Sequence, residues 1–174
     1  MTERTGSHGM AVLRTLTLIG ATLTAGLSAG LFYSYACSVM PGLAKVDDRA
    51  FVDAMQRINT AILNGWFMIS FLGALLLIAA AGVLQWRGGD RTVLLWIGAA
   101  AVLYLVMLVV TGAVNVPLND RLAAAGAPDG LTDPAAVRAA FEDVWVRWNL
   151  VRAVAATAAF GCLTWALALS GRQA

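Results

Sequence analysis

The sequence predicts an all-α membrane protein: an antiparallel bundle of four transmembrane helices, with helices 2 and 4 extended beyond the bilayer on one side. Three observations predict it. Of the 174 residues, 60% are hydrophobic and 13% charged, about half the charged share of a soluble domain. The apolar residues gather into four runs, near 16–40, 58–84, 93–116 and 144–169. Each exceeds the ~20 residues that carry a helix across a bilayer. The connecting segments are polar and mostly short, so residues 12–170 read as a single four-span membrane domain.

The elements follow in chain order. Residues 1–11 read as a disordered tail that holds the only histidine, His8. After Arg14 the first run is too long for a signal-peptide core and reads as an uncleaved span. Gly26 and Gly30 form a GxxxG, continued by Ala21, Ala25 and Ala29, a stripe along which helices can approach closely. Pro41-Gly42 is expected to stop this helix, and Asp47 or Asp48 to cap the next. From Phe51 to Ile58 an amphipathic stretch, with Asp53 and Arg57 on its polar side, reads as an interfacial approach leading straight into span two. Gln85–Arg91 is a short polar turn. Pro117 is expected to end the third helix, leaving Asp120–Asp133 as the longest loop. Asp133-Pro134 is a cap with proline in the first helical position, opening a fourth helix that runs to about Leu169. Its first turns, with Val137 and Phe141, should project above the membrane.

Several functions are excluded by residue type. A net charge of +2 is too small for nucleic-acid binding. Cys37 and Cys162 fall in different spans with no CxxC, so thiol–disulfide exchange is not expected. Without a histidine outside the tail there is no imidazole set for a metal or haem and no Ser/His triad, so no cofactor is expected.

The polar residues are not scattered. With four spans, the ends of spans one and three and the starts of spans two and four lie at one membrane face. There the chain places Tyr33, Tyr35 and Met40; Gln56, Asn59 and Asn64; Asn115 and Asn119; and Trp145, Trp148, Asn149 and Arg152. On a helix, Trp145, Trp148, Asn149 and Arg152 fall at i, i+3, i+4 and i+7, which is one face. A cation inside a span costs roughly 2.5–3.5 kcal/mol on insertion scales, so it is rarely kept without a partner or a task. The sequence therefore predicts a one-sided polar pocket with aromatic walls. Three readings compete for it: interhelical amide bonding worth about 0.6 kcal/mol per bond, binding or transport of an anionic, phenolic or lipid-like amphiphile, and catalysis. A homo-oligomer is compatible with the small-residue stripe. The terminal side carries Arg4, Arg14, Arg87, Arg91 and Arg172 in the shortest segments, which leans toward cytoplasmic termini in a plasma (inner) membrane.

Gly30-Leu-Phe-Tyr33, Val39-Met-Pro-Gly-Leu43, Phe51-Val-x-Ala-Met-Gln-x-Ile-Asn59, Asn115-Val-Pro-Leu-Asn119 and Trp145-x-x-Trp-Asn-x-x-Arg152 resemble, in order, the anthrone-oxygenase-like membrane family. The resemblance spans about Leu16 to Leu169. It implies oxidation of anthrone-like aromatics by O2 without metal or flavin. In that scheme Arg152 and Asn149 hold the oxyanion, and Asn59 and Asn115 are further donors. Trp145, Trp148 and Tyr33 sandwich the rings, while Gln56, Asn64 and Asn119 complete the substrate site. Glu142, Asp120 and Asp143 are the acids that could take the proton.

Overall fold

The computed structural model describes residues 2–172, with side chains from residue 9 onward. It is helical throughout, with no strand among the described residues. Four helices are long and apolar enough to cross a membrane: Gly9–Leu43, Gly65–Trp86, Arg91–Ala124 and Pro134–Gly171. The protein is an integral membrane protein. Its outward faces are those of a chain solvated by lipid: Leu23, Leu27, Leu76, Leu95, Val102, Val109 and Val154 are all exposed. On span two, Trp66 and Trp86 are 85% and 79% exposed. The twenty helical steps from one to the other span about 30 Å, the thickness of a hydrocarbon core.

Helix α1 (Thr2–Ser34) begins within the stretch expected to be a disordered tail. No proline interrupts that stretch, and extending an existing helix costs far less than nucleating one. The side chains of residues 1–8, His8 included, lie outside those described. The four spans pack in a ring: α1 against α4 (Gly65–Trp86), α4 against α5 (Arg91–Val110), α5 against α8 (Glu142–Gly171), and α8 against α1. Alanines at the contacts make the approach close. Ala21, Ala25 and Ala29 of α1 meet Ala74, Ile78 and Ala81 of α4, and Ala153, Ala156 and Ala159 of α8, in one buried core. Gly26 is part of this packing, since a Cβ there would come within 3.0 Å of the Phe160 ring. Gly30 faces open space. A hydrogen-bonded polar cluster crosses the core: Tyr104 donates its hydroxyl hydrogen to the Phe71 carbonyl at 2.7 Å, and its oxygen lies 3.1 Å from Ser28 Oγ.

Neither intramembrane proline stops its helix. Before Pro41 the chain widens into a π-helical turn, Tyr35–Val39, and is helical again over α2 (Met40–Leu43). Before Pro117 it does the same over Thr111–Asn115 and continues as α6 (Val116–Ala124). A proline ring collides with the carbonyl four residues earlier and removes an N–H. One inserted residue in a π turn relieves both, so the helix survives. Consequently Asp120–Ala124 is helix rather than loop.

Span two also departs from expectation. The amphipathic stretch forms a separate helix, α3 (Asp48–Ala61), capped by Asp47, whose carboxylate accepts from Ala50 N at 2.9 Å. A break follows, and Asn64 starts α4 by accepting from Phe67 N at 3.1 Å. The apolar side of α3 does not lie in lipid. Phe51, Val52 and Met55 are buried against Leu118, Leu122, Phe141 and Trp145, so α3 roofs one end of the bundle. The fourth helix is likewise two pieces, α7 (Pro134–Ala139, capped by Asp133) and α8, turning at Ala140–Phe141. The turn brings Phe141 inward, where it is buried.

At the opposite end, the turn between α4 and α5 is clamped from α1. Arg14 donates to the carbonyls of Leu84 at 3.0 Å and Gly88 at 2.9 Å. Gly88 has φ +135°, a conformation that favours glycine.

Candidate functional site

The site lies beneath the α3 roof, where α1 and α5 pass through their π turns and α8 begins. Arg152 on α8 is the center of it, only 5% exposed. A guanidinium has five N–H donors, and this one makes a single hydrogen bond, from Nη2 to Asn149 Oδ1 at 3.0 Å. Among the described residues no carboxylate pairs with it; the ion pairs found there join Arg57 to Asp53 and Arg138 to Asp48 and Glu142. Aromatic faces surround it instead. The guanidinium carbon sits 4.6 Å from the Phe32 ring centroid and 5.1 Å from that of Trp145. Desolvated cation–π contacts are worth about 2 kcal/mol or more, while an isolated buried ion costs several. A cation so placed is short of acceptors.

Asn149 holds Arg152 in position. Its Nδ2 donates to the Phe32 carbonyl at 3.2 Å, and a carbonyl can only accept, so the amide oxygen must face the guanidinium. Both ends of the amide are thereby used. The Asn149 Nδ2 has a second N–H beyond the bond to Phe32. Trp145 is held in a similar way. Its indole Nε1 donates to Asn119 Oδ1 at 2.8 Å, and its main-chain carbonyl accepts from Asn115 Nδ2 at 3.3 Å. Around its ring stand Phe141, stacked at 6.0 Å, and Tyr35, tilted at 5.5 Å.

Among the described residues, three buried side-chain polar atoms lack a hydrogen-bond partner: Arg152 Nε, Asn115 Oδ1 and Asn59 Nδ2. Each such atom costs about 1–3 kcal/mol in a folded interior. Arg152 and Asn115 both touch Trp145, and Asn59 follows Met55 by one turn on the roof helix, on the face that covers Trp145. Arg152 and Asn115 thus flank Trp145, and Asn59 stands on the helix that roofs it.

The remaining expected residues sit as follows. Tyr33 is 61% exposed and points out of the bundle; Tyr35, two residues on, is the tyrosine at the site. Gln56 is a brace, donating to the carbonyls of Leu122 at 2.8 Å and Gly126 at 3.0 Å. Asn64 is exposed and serves as the cap of α4. Trp148 is half-buried and makes no ring pair. Of the candidate acids, Glu142 is held by Arg138 at 2.6 Å, and Asp120 and Asp143 are exposed. Sequence reasoning missed Phe32, whose ring and carbonyl both serve the site, and Phe141, whose signal was its position one turn before Trp145.

Two arginines lock the roof. Arg138 donates to the carbonyls of Val46 at 2.9 Å and Ala44 at 3.3 Å, and lies 4.5 Å over the Phe51 ring. Arg49 donates to the carbonyls of Pro128 and Leu131. At the side, a groove of about 360 Å³ runs between Ala36, Met40, Pro41 and Ala44 on one wall and Glu142, Asp143, Val146 and Arg147 on the other. Met40 and Val146 back onto the Trp145 cluster.

Fold and site together define an integral membrane protein of four spans with a buried, aromatic-walled cationic center under a helical roof. A family model described as anthrone oxygenase matches residues 66–162, more than half of the chain. The chain belongs to the anthrone oxygenase family. The matched region runs from α4 through most of α8 and contains Asn115, Asn119, Trp145, Asn149 and Arg152; Phe32, Tyr35 and Asn59 fall outside it. No curated protein and no solved structure matches the chain.

Proposed function

We propose that this protein oxidises a flat, phenolic or anthrone-like aromatic with O2, using Arg152 to hold the anion formed on the way. The observation that carries this reading is a buried guanidinium with no counter-carboxylate and two aromatic faces against it. An anthrone C–H loses its proton, and the electron pair delocalises onto the ring oxygen. Arg152 Nε, with Asn59 Nδ2 as a second donor, receives that oxygen, and the positive charge favours the ionised form. The electron-rich anion then reduces O2; overall, anthrone plus O2 gives anthraquinone plus water. Phe32, Tyr35, Trp145 and Phe141 supply the apolar walls. Trp145 is positioned by Asn119, and Arg152 by Asn149. Asp143, which lines the groove and forms no ion pair, takes the proton through water there. The substrate reaches the site from the lipid through the same groove, and Arg14, Arg87 and Arg91 favour cytoplasmic termini in a plasma membrane.

The test is turnover by detergent-purified protein supplied with emodin anthrone in aerated buffer. Quinone formation above autoxidation, lost in Arg152→Met, supports the proposal. Background rates alone, or turnover unchanged in Arg152→Met, remove it. Saturable binding without turnover favours a protein that carries a lipid- or quinone-like amphiphile.

A further inference from the structure

Asn115 is wholly buried and occupies the last position of the second π turn. Its Nδ2 is committed to the Trp145 carbonyl. Because a carbonyl cannot donate, that bond fixes which end of the amide faces Trp145. The end left over is therefore the oxygen, an acceptor with no donor. The other two unmatched atoms, Arg152 Nε and Asn59 Nδ2, are donors. A fatty-acid carboxylate would satisfy the donors but turn its lone pairs on Asn115. A ligand of mixed polarity answers all three.

We propose that Asn115 Oδ1 accepts a hydroxyl hydrogen of the ligand, and so selects aromatics that carry a hydroxyl group besides the oxygen held at Arg152. The sequence expectation made Asn115 one more donor to the oxyanion; this assignment uses the other end of the same amide. It deepens the oxidation proposal and rests on the same site. A site built around a hydroxyl rejects the analogue that lacks its hydrogen, because its own buried group is then left unpaired.

The experiment measures binding under nitrogen, by tryptophan fluorescence, of a series of monohydroxyanthrones and their O-methyl ethers. At least one hydroxyl compound should bind wild-type protein about tenfold more tightly than its ether. In Asn115→Leu that ratio should fall to about one while the ether's affinity is kept. Asn115→Ala serves if the leucine variant does not fold, and the same ratio decides. If no hydroxyl compound outbinds its ether, or the ratio persists without Asn115, the assignment is overturned. Preference without aerobic turnover supports this assignment and defeats the oxidation proposal, and turnover without preference does the opposite. Failure of both series to bind defeats both.

Discussion

Replacing Asn149 with leucine keeps the branched shape of the side chain and removes two hydrogen bonds, to the Phe32 carbonyl and from Arg152. In membrane bundles an amide bond of the first kind averages about 0.6 kcal/mol. The second is charge-assisted, worth roughly 1.5–3 kcal/mol, and its loss leaves the guanidinium with no hydrogen bond at all. Asn149→Leu should therefore destabilise the protein by roughly 2–3.5 kcal/mol. Equilibrium unfolding in mixed detergent micelles, followed by circular dichroism, measures this. The decisive quantity is the coupling with Arg152→Met. Once the cation is absent the charged bond cannot be lost twice, so the double variant should cost less than the sum of the singles by about 1.5 kcal/mol or more. Additivity within about 0.5 kcal/mol would show that Asn149 does not hold Arg152. A cost for Asn149→Leu of less than that would refute the reasoning as a whole.

Other substitutions probe the scaffold. Gly26→Leu drives a side chain into the Phe160 ring and should cost about 1–3 kcal/mol in the same unfolding assay. Gly30→Leu, which meets nothing within 4 Å, should stay within about 0.5 kcal/mol of wild type. Pro117→Ala removes the reason for the second π turn. Its relaxation to α-helix would rotate Asn115 by about 100°, leaving the fold intact and weakening ligand binding at least about tenfold, as read by fluorescence titration. Tyr104→Phe loses the bonds to Ser28 and Phe71. It should lower stability by about 1 kcal/mol while leaving ligand affinity unchanged, since Tyr104 lies in the alanine-rich core.

The spans and the shared face of Trp145, Asn149 and Arg152 were legible because helical periodicity and span length act locally. Residues seven apart on an uninterrupted helix stay on one side whatever packs against them. What the sequence concealed depends on partners. An amphipathic helix looks the same whether its apolar side meets lipid or protein, so the pattern of Phe51, Val52 and Met55 could not reveal that α3 is a roof. Tyr33 and Tyr35 lie about 200° apart on a helix. Choosing between them required the orientation of α1 about its own axis, which packing sets. The orientation of Asn115 and Asn149 was hidden for a sharper reason: an amide is donor and acceptor at once, and only the carbonyl it meets decides which way it faces. Prolines 41 and 117 were read as stops because the π turn that accommodates them leaves no sequence signature.

The central claim is that Arg152 receives the ionised oxygen of an aromatic ligand, and the most direct measurement is of that ligand's ionisation. Anthrone titrated anaerobically into the purified protein can be followed by absorbance, since the anthrolate anion absorbs at longer wavelength than the neutral ketone. The account predicts the anion's band at a pH where the free compound stays neutral, and its disappearance in Arg152→Met. A bound ligand that remains neutral, or that ionises equally well without Arg152, would contradict it.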